Sequence, residues 1–238
     1  MELVILAAGK GSRIFKSIQR NKCLIKINNK TLIEKIIIDA KSLNKFNKIH
    51  VIVGYKKNNI INKLKYLNVN FINNKDYNKK EMLHTLKLGL QNCKEDTVIS
   101  YSDIIYPKKV FKDIIKIKNK NYLLPILKNW KNVWNQRKKA FIDDCETLDF
   151  DKNFILKDIG EKLDHNNKPK GQFMGIFFIP KNKIKKTLNL INKNNNKMHT
   201  TGFIHHLIKQ KEKIRCIVRN YKWYEFDDID DLKSYKKT

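Results

Sequence analysis

Three groups of residues in this 238-residue chain have types and spacings that could do chemistry. The first is a loop of small residues, Ala7-Ala8-Gly9-Lys10-Gly11-Ser12-Arg13, which follows the apolar run Leu3, Val4, Ile5 and Leu6. The run reads as a buried strand. Glycines after a strand let backbone approach a ligand closely and adopt angles that other residues resist. Successive N–H groups in such a loop can cradle an anion, and Lys10 and Arg13 add positive charge. The second group is acidic. Asp103 lies just past a predicted strand over residues 97–101, where the ligand edge of an α/β sheet would be. Glu225 and Asp227 alternate along a late predicted strand and so share a face. Mg²⁺ takes one or two carboxylates plus phosphate oxygens, and Asp103 with Asp227 would suit it. A strand-end or helix-capping Asp looks the same in sequence. The third is Lys22, a charge able to oppose one building on a transferred phosphoryl group, or one surface lysine among many.

Two familiar phosphate loops are excluded. A dinucleotide fingerprint needs a glycine three places after Gly11, where Ile14 stands, and a Walker loop must close on Gly-Lys-Ser/Thr.

The elements that must position these groups alternate between strand and helix. Thr31 with Glu34 makes a capping box, and Leu32, Ile33, Ile36, Ile37, Ala40 and Leu43 form the apolar stripe of the helix it starts. Residues 49–53 predict a second strand ending at Gly54-Tyr55-Lys56, with His50 facing a helix. A helix over 58–67, a strand over 69–72 and a helix from Glu81 follow. Pro107 suits a first helical turn. Strands are predicted over 122–127, 154–156, 171–179 and 214–218, and helices over 184–191 and 200–210. His205 and His206 are adjacent and face different ways, a poor metal pair. Asp228, Asp230 and Asp231 read as helix capping and solvated surface.

L-A-A-G-x-G-S-R directly after an N-terminal strand resembles the signature of the sugar-nucleotidyltransferase-like family. The resemblance continues through Lys22, with Asn21 in place of a proline, and through Gly54-Tyr55-Lys56. It extends to Asn74 and Tyr77, then to Glu81 and Thr85, where many relatives carry asparagine and serine. Trp130 and Trp134 with Arg137, then Asp144-Cys145-Glu146-Thr147-Leu148, Gly171-Gln172-Phe173-Met174-Gly175 and Trp223-Tyr224-Glu225-Phe226-Asp227 narrow it. These are similar to the branch that activates phosphocholine and 2-aminoethylphosphonate.

The resemblance implies an α/β fold: a Rossmann-like mixed, mostly parallel sheet flanked by helices, with a small β insertion on the acceptor side. It implies one domain over 1–238, with a nucleotide-binding half over about 1–120 and an acceptor-binding, metal-completing half over about 121–238. The implied reaction moves CMP from CTP to a small amine-bearing phosphate or phosphonate, releasing pyrophosphate. An amino-acid-derived phosphate such as glutamine phosphate, or a sugar 1-phosphate, are alternative acceptors. Lys22 and Arg13 would be catalytic, and Leu6, Ala7, Ala8, Gly9, Lys10, Gly11, Ser12, Gly54, Lys56, Glu81 and Thr85 would bind nucleotide. Trp134, Arg137, Asp144, Glu146, Gln172, Trp223 and Glu225 would meet the acceptor, with Trp130 and Trp134 walling a cationic head group. Asp103 and Asp227 would hold Mg²⁺.

Lys and Arg outnumber Asp and Glu by 51 to 23, a net charge of +28. The lysines are spread along the whole chain, beside much Asn and Ile. AT-rich codons specify all three, so gene composition explains the charge more simply than nucleic-acid binding, the rival from another class. A basic surface would still draw in a triphosphate. Cys23, Cys93, Cys145 and Cys216 lie far apart, so free thiols are expected rather than a zinc site or disulfide frame. No apolar run reaches membrane-spanning length, and the N-terminus does not read as a signal peptide. A cytoplasmic enzyme without membrane or nucleic-acid partners is expected; a homo-oligomer is left open.

Overall fold

Strand β1 (Glu2–Ala7) is buried along its whole length. Leu3, Ile5 and Ala7 face one hydrophobic cluster, and Val4 and Leu6 face the other. That is why the run is continuously apolar rather than alternating. Each fully buried Leu or Ile side chain contributes roughly 1.5–3 kcal/mol, so the strand that carries the glycine loop is firmly anchored. The structure is a computed structural model and describes residues 1–11, 21–79, 81–118, 121–137, 145–163, 168–193 and 198–235. Ser12, Arg13 and Asp144 lie outside the described residues.

The remaining strands are β2 (Lys26–Ile27), β3 (Lys30–Thr31), β4 (Lys48–Val53), β5 (Asn70–Asn73), β6 (Thr97–Tyr101), β7 (Ile104–Ile105) and β8 (Tyr122–Leu127), followed by β9 (Glu146–Phe150), β10 (Leu156–Lys162), β11 (Gln172–Phe173), β12 (Ile176–Ile179), β13 (Ile214–Arg219) and β14 (Tyr224–Glu225). The main sheet is eight-stranded, in the order β11-β8-β12-β6-β1-β4-β5, with β13 paired to β8. The pairs β1–β4, β1–β6, β4–β5 and β8–β13 are parallel. Strand β12 runs antiparallel between β6 and β8, and β11 is antiparallel to β8. Helices cover both faces, so the expected mixed α/β sheet is present.

Helix Leu32–Lys41 begins with the expected capping box: Glu34 N donates to Thr31 Oγ1 at 3.3 Å, and Thr31 N donates back to Glu34 Oε2 at 2.8 Å. The expected β insertion is the hairpin β9–β10, a sheet of its own. Its boundaries differ from the sequence reading. Phe154 is half-exposed at φ +59° in the turn before β10, so a strand over 154–156 does not form. The stretch 171–179 is two short strands, interrupted at Met174 and Gly175. Among the described residues, no helix is long and apolar enough to cross a membrane, and the four cysteines are buried and form no disulfide.

Candidate active site

The glycine loop leaves the C-terminal end of β1 into a cleft of about 310 Å³. Leu6, Ala7 and Ala8 are buried while Gly9 and Lys10 are exposed. Gly11 has φ +59°, and a Cβ there would lie 2.6 Å from Lys22 Cγ. The residue is therefore glycine for two reasons, its left-handed backbone and the passage of Lys22 beside it. Gly54 packs under the loop, where a Cβ would meet Ala8 O at 2.7 Å, and Tyr55 N donates to that same oxygen at 3.0 Å. Ser102 Oγ donates to Leu6 O at 2.8 Å, tying the end of β6 to the end of β1.

Asn21 has φ −60° and ψ 136° before the short 3-10 turn Lys22–Leu24. That is a backbone angle a proline would fix. Asparagine holds it by donating Nδ2 to Tyr55 O at 2.7 Å. The turn delivers Lys22 into the cleft, where its Nζ stands 2.9 Å from Asp227 Oδ1 and 3.4 Å from Asp103 Oδ2. Burial opposes the Lys22 charge, but Asp103 and Asp227 outweigh it and raise its pKa.

A two-residue ladder assembles the acids. Strand β14 pairs antiparallel with β7, placing Glu225 opposite Ile104, and Phe226 N donates to Asp103 O at 3.1 Å. Carboxylate oxygens of Asp103, Glu225 and Asp227 consequently lie within 4.8 Å of one another. Burial, then repulsion from Asp227 and Asp103, pushes Glu225 well above the usual carboxylate range. Burial likewise raises Asp103. Crowded hard oxygens with excess negative charge fit Mg²⁺.

Arg137 lies behind this cluster. Its Nε and Nη2 donate to Asp231 Oδ1 and Oδ2 at 2.8 and 2.9 Å, and Nη2 lies 3.5 Å from Asp227 Oδ2. Asp231 Oδ2 also accepts from Asp227 N at 2.8 Å and Asp228 N at 3.2 Å. Asp228 Oδ1 in turn accepts from Asp231 N at 3.0 Å. Asp228 and Asp231 thus form a capping box for helix Ile229–Tyr235. Asp231 is 2 % exposed, not solvated surface as its sequence position suggests. The D-x-x-D spacing at a helix start was the available signal.

The structure brings Leu6, Ala7, Ala8, Gly9, Gly11, Lys22, Glu81, Thr85 and Asp103 to one cleft. Thr85 is buried, its Oγ1 accepting from Asn74 Nδ2 at 3.0 Å. Gly54 and Lys56 open onto an adjoining depression that shares Tyr77 with the cleft. Lys10 and Lys56 approach the Tyr55 ring, 6.0 and 5.8 Å from its centroid. His199, absent from the sequence reading, also lines the cleft, 3.7 Å from Glu81. It precedes helix Thr200–Lys209, and nothing in its local sequence marks it.

Three residues expected on the acceptor side are buried. Arg137 is 6 % exposed and faces Asp231 and Asp227 instead of open solvent. Its guanidinium carbon sits 4.4 Å from the Trp134 ring centroid, covering that face. Trp134 is itself buried, its Nε1 donating to Gln172 Oε1 at 3.3 Å. Trp223 is buried too, with Nε1 donating to Met174 O at 2.9 Å. Large flat side chains were drawn into packing because the core could cover them. Gln172 is half-exposed and Glu146 exposed, the latter accepting from Thr201 Oγ1 at 3.0 Å.

A model of the MobA-like NTP transferase domain matches residues 3–122. A CTP:phosphoglutamine cytidylyltransferase of Campylobacter jejuni is 29% identical over 251 aligned positions, covering 98% of each chain. Among solved structures, the CTP:phosphocholine cytidylyltransferase of Streptococcus pneumoniae has a TM-score of 0.78 at 19% identity, covering 99% of this chain and 97% of that one. The inositol-1-phosphate CTP transferase of T. maritima has a TM-score of 0.77 at 17% identity, covering 99% and 93%. At these identities the two structures speak for the fold.

Proposed function

The chain belongs to the MobA-like NTP transferase domain family, and from that premise we propose that it moves a CMP group from CTP to a small phosphorylated acceptor, releasing pyrophosphate. The acceptor we infer is an amino-acid-derived phosphate of the phosphoglutamine type. The observation that carries the reaction is the meeting of Lys22, Asp103 and Asp227 beside the glycine loop. The acceptor reading rests on the full-length likeness to a phosphoglutamine enzyme. It is also supported by the Arg137-covered face of Trp134, which a quaternary ammonium would need free.

In the reaction an acceptor phosphate oxygen attacks the α-phosphorus of CTP. A new P–O bond forms, and the bond to the β-phosphate oxygen breaks, with its electron pair leaving on pyrophosphate. The attacking oxygen is already ionised near neutral pH, so no side chain need remove a proton. Loop N–H groups receive triphosphate oxygens, and Lys22 sets its charge against the one that develops. Arg13 is proposed to add a second charge from the same loop. Asp103, Glu225 and Asp227 would hold Mg²⁺, which when bound neutralises triphosphate charge. Asp231 and Arg137 keep Asp227 in place. Catalysis on this reading is positioning and charge neutralisation.

Pyrophosphate release should be measured for the four nucleoside triphosphates against phosphoglutamine, phosphocholine, 2-aminoethylphosphonate and a hexose 1-phosphate. CTP with phosphoglutamine should turn over fastest. Faster turnover of UTP with the sugar phosphate would overturn the proposal.

A further inference from the structure

At the opposite edge of the sheet, three side chains able to bind a metal converge without any part in the site above. Glu2 opens β1, His50 lies in the neighbouring β4, and Cys93 follows helix Met82–Leu90. One ligand atom from each lies within 4.8 Å of the other two. All three residues are buried, at 3, 4 and 7 % exposure. β1 runs six residues from Glu2 to the glycine loop, about 20 Å at the strand rise. This cluster is therefore separate from the cleft.

Its polar atoms are poorly satisfied. Neither ring nitrogen of His50 has a hydrogen-bond partner among the described residues, and neither has Glu2 Oε2. His50 Nε2 stands 3.5 Å from that oxygen, long for a hydrogen bond. Glu2 Oε1 accepts a long 3.4 Å donation from Lys94 N, and the Cys93 thiol is shared between Glu2 and Gly89 O, the latter at 3.4 Å. Buried polar atoms in folded proteins are almost always paired, and an uncompensated buried carboxylate costs several kcal/mol. A cation bound by all three residues would satisfy Glu2 Oε2 and one ring nitrogen of His50 at once.

We propose that Glu2, His50 and Cys93 bind one zinc-class divalent cation. Carboxylate oxygen, imidazole nitrogen and thiolate sulfur suit a borderline-soft ion, whereas Mg²⁺ demands oxygens. Tetrahedral zinc places its ligand atoms about 3.5 Å apart, so small side-chain rotations close the site. Binding forms a Zn–S bond and releases the Cys93 thiol proton to solvent. The ion would staple the start of β1 to β4 and to the end of the helix above them. Residues 2, 50 and 93 have no spacing that a metal motif would reveal.

Full-length protein stripped by a chelator should be dialysed against Zn²⁺ with excess Mg²⁺ present to fill the carboxylate cluster. One zinc per chain should be retained, and the melting temperature should rise with zinc. His50→Gln should weaken retention at least tenfold and abolish that rise. Loading Co²⁺ should give a near-ultraviolet thiolate charge-transfer band, lost in Cys93→Ser and kept in Cys23→Ser. If a variant fails to fold, the wild-type stoichiometry and band still decide. No retained zinc, or a band indifferent to Cys93→Ser, would overturn the site.

Discussion

The Lys22 ammonium stands 2.9 Å from the carboxylate of Asp227, a residue 205 positions away. No local structural need brings these two together. Replacing Lys22 by alanine should lower turnover about 10²–10³-fold, the cost of removing one preorganised charge from a transition state. Circular dichroism should be unchanged. Near-normal turnover in the folded variant would reduce Lys22 to a space-filler beneath Gly11.

Asp103 and Asp227 share that ammonium and, on our reading, one metal ion. Asp103→Asn and Asp227→Asn should each lose most Mg²⁺-dependent turnover, about 10²-fold or more. The double variant should be hardly worse than either single one, because each change disables the same site. Titrating rate against Mg²⁺ checks this, and additive losses would mean two independent roles.

Asp231 and Arg137 form a bidentate pair, with side chains only 2 % exposed. Asp231→Asn leaves a buried guanidinium poorly compensated, at a cost of about 3–5 kcal/mol in stability. It also loosens the oxygen that holds the Asp227 N–H. Urea midpoints and turnover should therefore fall together. Arg137→Lys should not restore either, since an ammonium cannot reproduce the two parallel bonds.

Glu34 provides a pH test away from the cleft. Burial alone would raise its carboxyl pKa. Tyr66, the Thr31 backbone and hydroxyl, and Lys63 outweigh that and bring it to about 2, from 4.5. A depressed folded-state pKa gives stability that is fully present above the unfolded value. It is lost as pH falls from about 4.5 toward 2. The expected contribution is on the order of 2–3 kcal/mol at neutral pH. Urea unfolding of wild type and Glu34→Gln should differ by that amount at pH 6 and converge as pH approaches 2. A gap independent of pH would contradict the assignment.

Much of this fold is readable from residue order because its strands are apolar on both faces. β1, β4, β6 and β8 stand where short, largely apolar stretches predict them, and the Thr31–Glu34 box starts its helix as its spacing requires. The readable part of the candidate site is the loop and the acids that fall at strand ends. What sequence order conceals is who meets whom. Asp231 looks like solvent-facing helix cap until Arg137, 94 residues earlier, is seen to occupy it. Trp130 and Trp134 suggest a binding wall by type, yet packing covered both. The antiparallel placement of β12 between β6 and β8 has no local signal because its register comes from two distant partners.

The short ladder between β7 and β14 bears on how the protein is made. A ribosome delivers the glycine loop, β1 and β6 early, and Asp103 waits through more than a hundred further residues for Glu225 and Asp227. A nascent chain can thus form the strands that carry its glycine loop before it owns a complete set of charges around that loop. Closing that contact joins segments far apart in sequence, and such non-local pairings are slow to form. On our reading, turnover is therefore a reporter of finished folding, whereas triphosphate binding to the loop would not be.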